Sequence, residues 1–154
     1  MLTNKGKYAT RAMLELAIQY ANGPIRMEFI AERNNIPRKF LEQILLALKG
    51  AGFVESRKGP GGGYYLARPP EKITLGDVVR AIDGPIALVS CVSVTRYEEC
   101  GCPDPDTCGL RTAWQDARTA LSGVLDRTTF AEIRNRQQEA TVNKPLPADY
   151  DFII

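Results

Sequence analysis

Four cysteines fall within eighteen residues, Cys91, Cys100, Cys102 and Cys108, spaced C-x8-C-x-C-x5-C, and the chain has no others. Thiolates at this density suit iron–sulfur clusters and zinc. Gly101, Pro103 and Pro105 between them let a loop wrap a compact group. The chain contains no histidine, which removes the commonest alternative ligand. Three chemistries compete. An iron–sulfur cluster is favoured. A structural zinc normally brings paired C-x2-C ligands, and this loop has none. A thiol–disulfide switch would use the close Cys100/Cys102 pair, although a bridge across one residue is strained. Cys108 is expected in the first turn of a long helix, where the positive helix end favours a thiolate.

The elements on either side must position those thiols. Ala9, Ala12, Met13, Leu16, Ala17 and Tyr20 recur at helical spacing and predict a first helix from about Asn4 to Ala21, stopped by Asn22-Gly23-Pro24. A short helix over Met27 to Asn34 and a turn at Asn34-Asn35 follow. Pro37 suits the first position of the next helix, which runs to about Lys49 with Leu41, Ile44, Leu45 and Leu48 on one face. Its other side presents Arg38, Lys39, Glu42 and Gln43. Two short helices joined by a tight turn form a helix-turn-helix, whose second helix meets base edges with its N-terminal residues. Phe53–Arg57 and Tyr64–Ala67 then read as strands around the turn Lys58–Gly63. A hairpin here is a wing. Its tip carries Arg57 and Lys58, and Gly59 and Gly61 let backbone approach phosphate or a narrow minor groove. A nucleotide-phosphate loop would need a following helix and a Lys-Ser/Thr ending, and both are missing.

Thr74-Leu-Gly-Asp77 approximates a capping box ahead of a helix that points Leu75, Val78, Val79 and Ile82 inward and ends at Asp83-Gly84-Pro85. After the cysteine loop, Asp104-Pro105-Asp106 reads as a helix start. Leu110, Ala113, Trp114, Ala117, Leu121, Val124 and Leu125 then form one apolar stripe. At 1.5 Å per residue that helix spans about 30 Å, too long to be buried wholly against so small a module; a dimer helix is favoured over a helix folded back on its own domain. Thr129-Phe-Ala-Glu132 caps a last short helix. The expected fold is mainly α with a small β wing. It comprises a winged helix-turn-helix domain at 1–85, a cysteine-rich sensor loop at 86–108, dimerisation helices at 109–138 and a disordered tail at 139–154.

Charge supports this division. Residues 1–70 carry eleven Lys/Arg against five Asp/Glu, whereas residues 71–154 carry nine against thirteen. A basic half joined to an acidic half is the pattern of a nucleic-acid reader attached to a non-binding part. No run approaches the roughly 18 apolar residues of a membrane span, and the N-terminus has no apolar signal core. A cytoplasmic protein with reduced thiols is therefore expected. An enzyme reading lacks a convergent acid–base set.

The order of parts, together with Leu41-Glu42-Gln43, Lys58-Gly-Pro-Gly-Gly-Gly-Tyr64 and cysteines ahead of a long helix, resembles the IscR/NsrR/RirA type of bacterial winged-helix regulator. That group also includes the cluster-free CymR type. The resemblance covers about residues 1–138. It implies a homodimer on a palindromic double-stranded DNA operator, mostly a repressor. It also implies an iron–sulfur cluster, 2Fe–2S ahead of 4Fe–4S, that senses iron–sulfur status, iron, nitric oxide or redox state. By the same resemblance Glu42 reads bases and Lys58, usually arginine in the family, enters the minor groove. Pro37 and Lys39 stand where the IscR type has serines, so the operator sequence does not carry over. Cys91, Cys102 and Cys108 match the three family cysteines and Cys100 is extra. Arg111 occupies the place of a histidine ligand in the IscR type, and Lys7 that of an aspartate ligand in the NsrR type. With both missing, Cys100 is expected to be the fourth ligand; the alternatives are a free Cys100 with a small molecule in the fourth place, or crowding that lets only one of Cys100 and Cys102 bind. The rivals are a thiol-switch regulator on the same fold and a small electron-transfer protein, against which the basic half and the wing argue.

Overall fold

Ala9, Ala12, Met13, Leu16 and Ala17 are all buried, and they form the inner face of helix α1 (Asn4–Ile18) in a computed structural model that describes residues 2–145. Thr3 caps the helix by accepting from the Gly6 N–H, and its own N–H donates to the Asp83 carboxylate at 2.8 Å. The helix stops at Ile18, earlier than its periodicity suggests. Tyr20–Asn22 tighten into a 3-10 turn before Gly23, whose positive φ of 79° reverses the chain.

Helix α2 (Met27–Asn34) and helix α3 (Arg38–Gly50) are joined through Asn35, the one described non-glycine residue with positive φ. Asn tolerates that conformation because its short polar side chain can bond locally. Pro37 stands just before α3, at the cap position, with extended ψ of 132°. Leu41, Ile44, Leu45 and Leu48 of α3 are fully buried against α1. Glu15 is a buried acid that the sequence pattern did not single out. It pairs with Arg33 at 3.4 Å and accepts from the Asn34 side chain at 3.3 Å, pinning α1 to the end of α2.

Strands β1 (Val54–Arg57) and β2 (Gly63–Leu66) form an antiparallel ribbon in the register Val54↔Leu66 to Arg57↔Gly63. Its base is tied to the start of α2, because Ile25 and Tyr64 exchange backbone hydrogen bonds of 2.9 and 2.7 Å. Gly63 makes that tie possible: its φ is 147°, and a Cβ there would collide with the Ile25 carbonyl. Helix α4 (Leu75–Asp83) begins with the full capping box between Thr74 and Asp77 and buries Val78.

Helix α5 (Gly109–Arg127) is nineteen residues long, and none of them is buried. Asp104-Pro105-Asp106 does not start it. The Asp104 carboxylate accepts instead from the Asp106 N–H and the Thr107 hydroxyl, which closes a local turn, and Cys108 takes the cap position. Cys108 is therefore just outside the first turn. Helix α6 (Phe130–Val142) is thirteen residues, capped by Thr129 as its sequence suggests, and extends past the expected end at 138. It returns to the winged domain: Phe130 is 1% exposed and lies in the same core as α1 and α3. The α5–α6 corner is fastened to the start of α4 by bonds from Leu75 N to Thr128 O (2.8 Å) and from Phe130 N to Ile73 O (3.0 Å). Of the tail expected at 139–154, residues 139–142 are helical, and those beyond 145 lie outside the described residues.

Candidate nucleic-acid interface and cysteine loop

Burying four apolar residues of α3 turns its opposite face outward. Arg38, Lys39, Glu42 and Gln43 are all exposed there. Arg38 reaches Glu32 only at 3.8 Å, with both side chains mostly in solvent, so the pair leaves the guanidinium available. Lys49 at the far end donates to the Ser56 hydroxyl at 2.7 Å, holding β1 against α3. Arg57, Lys58, Gly59 and Gly61 are exposed at the wing tip. Arg26 joins them unannounced. It precedes α2, and the Ile25–Tyr64 bridge brings it to one cleft with Arg57, Gly59 and Gly62. Local spacing could not pair residues 26 and 57; only the folded ribbon does.

The thiols come together in part. Cys91 sits in a 3-10 turn (Ser90–Val92), Cys102 is exposed, and Cys91, Cys100 and Cys108 are half-buried. Cys100 lies beside Cys102 and Cys91, and Cys102 beside Cys108. The Cys100 thiol is held below its ordinary value, chiefly by the hydrogen bond with Cys102 and then by backbone N–H groups. The same contact pushes Cys102 up to about 11, since a thiolate at Cys100 opposes a second negative charge. Among the described residues no three ligating side chains converge on one point. The thiols are instead neighbours in pairs, in the order 91, 100, 102, 108. All four thiols are free and carried by one loop, and their donor type is that of an iron–sulfur group, but they are not gathered into a formed four-ligand site. Lys7 is exposed on α1 and is not part of this set.

Two arginines connect the loop to the rest. Arg118 of α5 donates to the Val92 carbonyl, next to Cys91, at 2.6 Å. Arg80 of α4 makes a two-pronged contact with Asp126 of α5 at 2.6 and 2.9 Å. Close approach there requires Gly76, where a Cβ would strike the Asp126 carboxylate. Between these contacts lies a cavity of about 350 Å³ bordered by Arg80, Ile86, Thr95, Arg118 and Ser122. Helix α5 thus touches the Cys91 end of the loop, starts at the Cys108 end and is bolted to α4. Neither arginine was legible as a site residue, because each partner is more than twenty positions away. On the outer side of α5, Leu110, Trp114, Leu121 and Val124 are 70, 38, 45 and 53% exposed.

No helix among the described residues is long and apolar enough to cross a membrane. A family described as "Iron-dependent Transcriptional regulator", Rrf2, matches residues 2–136. The chain is 38% identical over 141 residues to the HTH-type transcriptional regulator IscR of Serratia proteamaculans, covering 92% of this chain and 83% of that one. Its fold is similar to CymR, the global cysteine regulator of B. subtilis, with a TM-score of 0.75 and 34% identity over 88% of this chain and 97% of that one. It is equally similar to T. potens IscR, with a TM-score of 0.75 and 30% identity over 94% and 93%. With the winged helix-turn-helix architecture in place and these matches spanning nearly its full length, the chain belongs to the Rrf2 family of transcriptional regulators.

Proposed function

We propose that this chain is a homodimeric, operator-binding regulator whose DNA affinity depends on an iron–sulfur cluster held by Cys91, Cys100, Cys102 and Cys108. The carrying observation is that one loop contains all four thiols, each free, while its two ends are fixed to α5. When bound, such a cluster supplies one-electron chemistry and sensitivity to oxidants. The chain's own residues do the rest. Arg38, Lys39, Glu42 and Gln43 meet base edges and phosphates in the major groove. Arg57 and Lys58, with Gly59 and Gly61, lay the wing against the minor groove. Leu110, Trp114, Leu121 and Val124 pair with the same stripe of a second copy, since four partly exposed apolar side chains on one helix face need a cover. Arg118 and the Arg80–Asp126 contact carry changes in the loop to α4 and so to the reading face. Loop state and DNA binding are then linked reciprocally.

The test is anaerobic reconstitution with iron and sulfide, followed by absorption spectra and operator binding of loaded and cluster-free protein. Visible charge-transfer bands with affinities that differ between the two states are expected. A colourless protein, or equal affinities, overturns the reading. The contact between Cys100 and Cys102 favours one second reading, a thiol switch. In that case colourless protein would lose operator binding when hydrogen peroxide takes two electrons and two protons from a thiol pair, and would regain it with dithiothreitol.

A further inference from the structure

Helix α3 carries an apolar side chain in the middle of its outward face. Positions three and four apart share one stripe along a helix. Lys39, Glu42, Gln43 and Leu46 therefore lie together, opposite the buried Leu41, Ile44, Leu45 and Leu48. Leu46 is 72% exposed, against 38–43% for Leu2, Tyr20, Phe29 and Phe40, the other exposed large apolar side chains of the winged domain. Its neighbours are already engaged. Phe40 meets Tyr8 of α1 edge-on, with 5.6 Å between ring centres, and Lys49, next along the stripe, donates to the Ser56 hydroxyl. Among the described residues Leu46 belongs neither to the core nor to the apolar side chains packed against it. A lone exposed leucine on an ordinary surface needs no cover. This one stands one turn beyond Glu42 and Gln43, and helical side chains lean back toward the N-terminus. A duplex lying against those two residues takes Leu46 out of water as well.

We infer that Leu46 determines sequence preference by packing on the 5-methyl group of a thymine. Only the operator-binding part of the proposed function underlies this inference; the cysteine loop plays no part in it. The thymine methyl is the apolar feature of the major-groove edge, and apolar side chains meet it there. The carboxylate of Glu42 accepts from the cytosine amino group, and the amide of Gln43 matches adenine N6 and N7. The stripe thus reads polar edges with one turn and a methyl with the next. Side chains three apart are about 5–6 Å from each other, and stacked bases about 3.4 Å, so Leu46 falls about one or two base pairs from the Gln43 contact. Cytosine in place of that thymine removes the methyl and sets an amino group against leucine. That group then loses its water without gaining an acceptor, which opposes binding.

The test uses the full chain, purified without oxygen, to select duplexes from a random-sequence library. In the best duplex each thymine is then replaced in turn by deoxyuridine, which lacks only the methyl group. Binding of the parent and of Leu46→Ala is measured by fluorescence anisotropy. The parent is expected to lose about fourfold in affinity at one thymine of each half-site, the worth of one buried methyl group. Leu46→Ala is expected to bind thymine and deoxyuridine duplexes alike. Its salt dependence should match the parent's, since no phosphate contact is lost. Its unfolding midpoint should match too, since the side chain is mostly in water. A parent indifferent to every methyl overturns the inference. So does a Leu46→Ala variant that keeps the full thymine preference, or one that weakens every duplex by the same factor. A parent that selects no sequence overturns the operator-binding reading itself, and this inference with it.

Discussion

Phe130 is the residue through which α6 enters the core. It is 1% exposed and packs in one cluster with residues of α1 and α3. Phe130→Ala removes a whole ring from that cluster, a change that typically costs about 3–5 kcal/mol when the site cannot collapse. A domain of this size has a total of about 5–15 kcal/mol to lose. At about 2–4 °C per kcal/mol the midpoint of thermal unfolding should fall by roughly 6–20 °C. Val142→Ala is the control on the same helix. Its side chain is 84% exposed, so the change should stay within about 0.5 kcal/mol. The assay is circular dichroism melting at several protein concentrations, because a dimer makes the midpoint concentration-dependent. The reasoning is refuted if Phe130→Ala melts within about 2 °C of the parent. It is equally refuted if the variant loses only the concentration dependence, for then α6 would belong to the partner contact and not to the winged domain.

Leu121→Glu should place charge in the apolar stripe of α5 and yield monomers by sedimentation; an intact dimer would move the interface elsewhere. Lys58→Ala and Arg26→Ala should each weaken binding to every duplex and flatten the dependence of log K on log salt by about 0.9 per lost phosphate contact. Glu42→Ala should instead leave that slope alone and relax base preference, because a carboxylate accepts from the cytosine amino group. An unchanged slope in Lys58→Ala would refute its placement at phosphate. Asp126 is held below the ordinary carboxylate range, first by its hydrogen bond with Arg80. A lowered folded value means the contact stabilises fully above about pH 4 and fades as the carboxyl protonates below it. Asp126→Asn should therefore cost at most about 1 kcal/mol at neutral pH, given its exposure, and less at pH 3. An equal cost at both pH values would show that the charge is not what matters.

Much of the fold could be read from local pattern. The bounds of α2, the buried face of α3, the glycine-rich ribbon turn and the capping box at Thr74 all rest on signals within a few residues of each other, and the folded chain has them in place. Errors arose where one residue had two local options. Asp104 closes a turn with Thr107 in place of capping a helix. The last helix was expected where it lies, but nothing in its spacing tells that Phe130 packs in the core with the distant α1. The candidate site divides in the same way. The cysteines and the outward face of α3 were visible as residue types at a spacing. Arg26, Arg80 and Arg118 were not, because what distinguishes each is a neighbour that exists only after folding.

The paired bonds between Ile25 and Tyr64 have a mechanical meaning. They remove the freedom of the ribbon to swing relative to the two helices in front of it, so ribbon and helices make one stiff jaw. In the proposed pair, two such jaws would be carried by the two α5 helices like the arms of a calliper. A signal arriving at the cysteine loop cannot reshape a jaw; it can change only the gap and the tilt between them. Discrimination between loaded and unloaded states should then be strongest on DNA whose half-site spacing is altered, and weakest on a single half-site.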